Sequence, residues 1–137
     1  MPAAVQVVID ALDPERLAGF WAAALGYTKD WTWDEETVTW MRDGGLPEEM
    51  VGARAAISDP DGQRPRLYFQ RVPEPKLTKN RVHLDVHVGP AAIDAEAERL
   101  CGLGATRLRD FTEPFGPLPA QRTVVMADPE GNEFCLD

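Results

Sequence analysis

The sequence is poor in the residues that most often announce a chemistry. It has two cysteines, Cys101 and Cys135, and two histidines, His83 and His87, in 137 residues. Two cysteines cannot build a disulfide framework, and their spacing fits no zinc-finger pattern. Basic residues are also few: 14 Lys and Arg face 23 Asp and Glu, for a net charge of −9. Nucleic-acid backbones and anionic membrane surfaces attract clustered cations, so neither is an expected partner. No apolar run approaches the roughly 18 residues of a membrane span. Met1-Pro2-Ala3-Ala4 lacks the basic start of a signal peptide. A cytoplasmic, reduced protein is the expectation.

What is present suits a globular chain. Val5, Val7 and Ile9 alternate with Gln6, Val8 and Asp10, as a half-buried strand does. Asp13-Pro14-Glu15 then supplies an N-cap, a first-turn proline and a first-turn acid. Leu17, Phe20, Trp21, Ala24 and Leu25 follow at helical spacing, and Gly26 supplies a stop. Further strands are expected at 27–33, 37–41, 54–57 and 66–71. After Pro73 and Pro75 the pattern restarts. A strand with Val82, Leu84, Val86 and Val88 precedes a helix with Ile93, Ala97, Leu100 and Cys101 on one face. Strands at 106–111, 123–126 and 132–137 complete the series.

Three stretches recur in the same order. Val5-Gln6-Val7 matches Val82-His83-Leu84, and Leu25-Gly26-Tyr27-Thr28 matches Leu103-Gly104-Ala105-Thr106. Asp59-Pro60-Asp61-Gly62 matches Asp128-Pro129-Glu130-Gly131. The reading is an α+β chain with one domain, 1–137. It is made of two βαβββ repeats, about 3–72 and 81–137, with a Pro-rich linker at 73–80.

The runs Val5–Thr28, Lys79–Val88 and Val124–Leu136 resemble a glyoxalase-like domain. This is the vicinal oxygen chelate superfamily of glyoxalases, bleomycin-resistance proteins and extradiol dioxygenases. The resemblance implies paired βαβββ modules whose curled mixed sheets enclose a cavity, with helices on the convex side. It also implies a homodimer. Fold does not fix function here, because relatives include both enzymes and drug-binding proteins.

Alternation assigns the sheet faces. The apolar parity, which helices should cover, holds Val5, Val7, Ile9, Leu67, Phe69, Val82, Leu84, Val86, Val88, Phe134 and Leu136. The opposite parity holds Gln6, Val8, Asp10, Tyr68, Gln70, His83, Asp85, His87, Cys135 and Asp137. In the implied fold that face lines the cavity. Trp31 and Trp33, with Trp40 on the next expected strand, add a stacking wall for a planar or cationic ligand, or an interface anchor. Trp21 reads as helix core and Cys101 as core.

The resemblance carries the metal-ligand positions of metal-dependent relatives onto Gln6, Tyr68, His83 and Cys135. Such enzymes usually hold carboxylates at two of these positions. Tyr68 and Cys135 stand there instead, a poor set for hard divalent ions. If any metal binds, Gln6 and His83 are the residues for it. No cofactor is otherwise expected. His83 and Asp85 are the catalytic candidates, as a base with its orienting carboxylate. His83 and His87 lie about 13 Å apart along an extended strand, so one ion cannot join both.

Three functions are compatible with these residues. One is a binder of a small, cationic aromatic molecule with a degenerate metal site. The others are a divalent-metal-dependent lyase, isomerase or dioxygenase, and an interaction module. The segment 112–119 is expected to be a stiff loop, serving as lid or dimer arm.

Overall fold

The structure is a computed structural model and describes residues 1–137. Contacts divide the chain into two compact units, Met1–Pro75 and Lys76–Asp137. The fold is α+β, with two four-stranded mixed sheets, each from a βαβββ-like module. No helix is long and apolar enough to cross a membrane.

In the first unit, β1 (Val7–Ala11) runs parallel to β4 (Leu67–Arg71), which pairs antiparallel with β3 (Arg54–Ser58). The short β2 (Thr28–Lys29) completes the order β1-β4-β3-β2. Helix α1 (Pro14–Leu25) begins at Asp13, whose carboxylate accepts from the Arg16 amide. It ends at Gly26, which takes a left-handed conformation that a side chain would strain. The helix packs on β3 and β4. It contributes the large buried side chains Leu17, Phe20 and Trp21, while β3 contributes the small Ala55 and the apolar Ile57. Leu67 and Phe69 of β4 belong to the same buried parity.

Residues 37–41 are not a strand. They lie inside helix α2 (Glu35–Asp43), so Trp40 sits on a helix. Thr37, Val38 and Thr39 favour strand, but the ends outweigh them. The Asp34 carboxylate accepts from the Thr37 amide at 2.8 Å, Glu35 and Glu36 occupy the positive end, and Arg42 the negative end. The expected strand at 27–33 shrinks to β2. A 3-10 turn, Glu48–Met50, then leads to β3.

In the second unit, β5 (Leu84–Val86) runs parallel to β8 (Glu133–Leu136). β7 (Leu118–Ala127) and β6 (Thr106–Phe115) follow antiparallel, giving the order β5-β8-β7-β6. Helix α3 (Ile93–Gly102) buries Ile93, Ala97 and Leu100. Cys101 is exposed, contrary to expectation, because the buried stripe ends at Leu100. Val5 and Val82 are also exposed, since each lies outside the paired strand that follows it.

Segment 112–119 is not a loop. It forms the outer half of the β6–β7 hairpin, with Phe115 opposite Leu118. Gly116 has φ 59°, as the first residue of a tight two-residue hairpin turn requires. Pro114 falls at a register shift between Glu113 and Phe115, where a missing amide hydrogen costs little.

The hairpin is tied to α3 by charge. Arg122 donates to Asp94 and Asp110, and Arg107 to the same two carboxylates. These bonds, Arg122's foremost, lower both carboxyls from 3.8 to about 2. A depressed carboxyl stabilises the fold above its unfolded value and loses that contribution as pH falls from about 4 to about 2. Arg122→Gln is expected to raise both titrations toward 3.8, read by carbon NMR of the side-chain carboxyls.

Candidate functional site

The first unit contains a pocket of about 520 Å³ lined by Trp31, Trp33, Thr37, Trp40, Met41, Leu46, Met50, Arg54 and Tyr68. Trp31 and Trp33 come from the segment between β2 and α2, and Thr37, Trp40 and Met41 from α2. Leu46 and Met50 follow α2, and Arg54 and Tyr68 lie on β3 and β4. Register places Ala56 opposite Tyr68, so Arg54, Ala56 and Tyr68 share the sheet face away from α1. The Trp33 indole donates to the Arg54 carbonyl at 2.7 Å, which fixes its ring. The Trp31 and Tyr68 rings lie 6.5 Å apart in a tilted arrangement. Volume and lining suit a small ligand.

Of the ten residues expected to line a cavity, three line this pocket: Trp31, Trp33 and Tyr68. Trp40 joins them from an unexpected helix. Gln6, Asp10 and Gln70 are absent from its lining and are bonded elsewhere. Gln6 accepts from Arg66 at 2.9 Å, and Gln70 donates to Asp10 at 2.9 Å. Sequence reasoning missed Thr37, Met41, Leu46, Met50 and Arg54. Met41, Leu46 and Met50 could have been found once Asp34 and Arg42 were read as helix ends. Arg54 could have been found by carrying the Tyr68 parity onto β3.

Gln6 and Tyr68 do not fit a metal site. The Arg66 guanidinium that donates to Gln6 also lies 5.4 Å from the Tyr68 ring centroid, and it donates to Asp30 at 2.8 Å. A divalent cation there would meet a fixed positive charge at its first ligand.

The second unit gathers different residues. A ring nitrogen of His83, a carboxylate oxygen of Asp85 and the sulfur of Cys135 lie within 4.8 Å of one another. His83 Nε2 is 3.1 Å from Asp85 Oδ1, and Asp85 is the register partner of Cys135. These three donors fit a borderline divalent ion such as zinc. Burial, then the charges of Asp85 and Asp137, push the Cys135 thiol up. Cys135 is therefore a protonated thiol at neutral pH and a weak nucleophile. Iodoacetamide at pH 7.5 is expected to label exposed Cys101 ahead of Cys135, as read by peptide mass spectrometry.

His87 stands apart from the cluster, with its Nδ1 bonded to the Asp137 carboxylate. That hydrogen bond, foremost among its causes, raises the imidazole above 6.5. The pair favours the fold below pH 6.5 and loses this contribution as pH rises through the raised value.

A family model described as the glyoxalase-like domain matches residues 6–136. No curated protein matches the sequence. Solved structures resemble the chain along nearly its full length. A mutant of the fosfomycin resistance protein FosX from Listeria monocytogenes, complexed with Mn(II) and 1S,2S-dihydroxypropylphosphonic acid, shares 11% identity. It has a TM-score of 0.69, covering 99% of this chain and 91% of that one. A glyoxalase/bleomycin resistance protein/dioxygenase family enzyme from Burkholderia phytofirmans PsJN shares 15% identity. Its TM-score is 0.63, with 96% and 94% covered. The hypothetical protein SA1046 from S. aureus shares 13%, with a TM-score of 0.60 and 99% and 96% covered. At these identities the likeness is one of fold. With a family model spanning nearly all of its length, the chain belongs to the glyoxalase-like domain family.

Proposed function

We propose that the chain binds a small planar aromatic molecule in the tryptophan-lined pocket, and that its family metal site is degenerate. The pocket itself carries the reading: three indoles, a phenol ring and two thioethers around about 520 Å³. Such a lining gains from burying apolar area and from offset stacking, at roughly 0.5–1.5 kcal/mol per aromatic pair beyond the area term. Arg66 between Gln6 and Tyr68 supports the degenerate site. A thermal-shift series with planar aromatic compounds tests the proposal. Binding raises the Tm of the native protein, and Trp31→Ala removes the rise. A series in which no aromatic compound shifts the Tm sinks the reading.

The His83–Asp85–Cys135 cluster favours a second reading, a divalent-metal-dependent lyase, isomerase or dioxygenase. A metal held there would supply a Lewis acid or an acidified water. His83 and Asp85 also have the separation of a base and its orienting carboxylate. Elemental analysis after zinc loading and dialysis decides the matter. One zinc per chain, lost in His83→Ala, supports it, and no retained metal removes it. The homodimer implied by the family belongs to the same proposal, and sedimentation velocity tests it.

A further inference from the structure

We propose that the pocket selects aromatic carboxylates, with Arg54 holding the carboxylate. This rests on the binding reading above and names its ligand class.

Arg54 is the only charged residue in the pocket lining. Its side chain makes no ion pair, although acids outnumber bases in the chain. The other arginines of the first unit that bond through their side chains have taken up acceptors. Arg42 pairs with Glu48, Arg64 with Asp59 and Arg66 with Asp30, while Arg71 donates to the carbonyls of Glu49 and Val51. The Arg54 guanidinium donates to the Tyr68 hydroxyl at a long 3.5 Å. Arg54 is exposed, and its guanidinium stands beside the pocket residue Tyr68 without an ion-pair partner. None of the acids of α2 lines this pocket: Glu35 and Glu36 line a neighbouring cleft that shares Trp40 with it, and Asp43 lines that cleft and another that shares Trp40, Met41 and Leu46.

A guanidinium beside indole rings selects by charge and shape together. It repels a cationic ligand and presents a fork of donors that matches the two oxygens of a carboxylate. Because one arginine carries one charge, a monoanion is balanced, whereas a dianionic phosphate would bring an unpaired charge against apolar walls. The Trp33 indole is bonded to the main-chain carbonyl of Arg54, which holds the stacking surface next to the residue that carries the cation. A flat ring lying against Trp31 or Trp33 with its carboxylate toward Arg54 uses both features. The expected cationic ligand is thereby replaced by an anionic one.

Isothermal titration calorimetry with three probes of one shape tests this: 2-naphthoate, 2-naphthamide and 2-naphthylmethylammonium. The native protein is expected to bind naphthoate at least roughly tenfold tighter than the amide, with the cation weakest. Arg54→Gln is expected to erase the preference, and Arg54→Lys to keep part of it because the charge remains. Circular dichroism confirms that each variant is folded. Equal affinities for carboxylate and amide, or a tighter cation, overturn the carboxylate inference. In that case amide binding that Trp31→Ala abolishes leaves the pocket reading standing. A preference that survives in folded Arg54→Gln also overturns it. If none of the probes binds, the carboxylate inference falls, and the thermal-shift series decides the pocket reading separately.

Discussion

Trp21→Ala is expected to destabilise the first unit by about 3–5 kcal/mol, the range for deleting a large aromatic from a packed interior. Trp21 is 1% exposed on the face of α1 that packs on β3 and β4, and its ring meets Phe20 edge-on with centroids 5.4 Å apart. The sheet opposite cannot fill the vacancy, because β3 presents short side chains such as Ala55. A loss of that size is a large fraction of the 5–15 kcal/mol typical of a whole domain. Urea unfolding followed by circular dichroism measures it without relying on tryptophan emission. The same substitution at Trp40, which is 72% exposed, is expected to cost less than about 1 kcal/mol. Equal costs at the two positions would contradict the assignment of Trp21 to the core and Trp40 to the pocket wall.

Asp128→Ala carries the second large effect, about 2–3 kcal/mol, through orphaned hydrogen-bond donors rather than lost packing. Asp128 is buried in the turn between β7 and β8. Its carboxylate accepts from the amides of Glu130 and Asn132 at 2.9 and 3.0 Å, and from the Asn132 side chain. Removing the carboxylate leaves these part-buried donors without their acceptor. Asp128→Asn is expected to cost less, because Oδ1 alone accepts both backbone bonds. Differential scanning calorimetry of the two variants separates the cases. Asp59 has the matching role in the first unit, accepting from the amides of Asp61, Gln63 and Arg64. Those bonds, the Asp61 amide's foremost, hold its carboxyl below the ordinary value. The contribution is present above pH 4 and is lost as pH falls through the lowered range.

The two turns show how far sequence reasoning reached. Asp-Pro-Asp-Gly and Asp-Pro-Glu-Gly are common turn chemistry, yet here each begins with a buried aspartate that organises the turn from inside. Together with the two strand–helix openings, they were enough to read the duplication and hence the fold. The site was legible only in part. Trp31, Trp33 and Tyr68 were visible as aromatics of suitable parity, but α2 was hidden behind strand-favouring Thr37, Val38 and Thr39. Without that helix, Met41, Leu46 and Met50 had no reason to converge. Arg54 was hidden for another reason. Its significance lies in the absence of an ion-pair partner, and pairing such as Arg66 with Asp30 joins residues far apart in sequence. The hairpin at 112–119 misled because three prolines suggest a loop, whereas two of them sit where a strand tolerates them.

Fluorine NMR of protein labelled with 5-fluorotryptophan, titrated with 2-naphthoate, tests the central claim most directly. Four tryptophans give four resonances, assigned by single substitutions. Trp31, Trp33 and Trp40 are expected to shift along one saturable curve while Trp21, on the buried face of α1, stays in place. Stationary Trp31, Trp33 and Trp40 resonances at saturating ligand, or four that drift together without saturation, would contradict it.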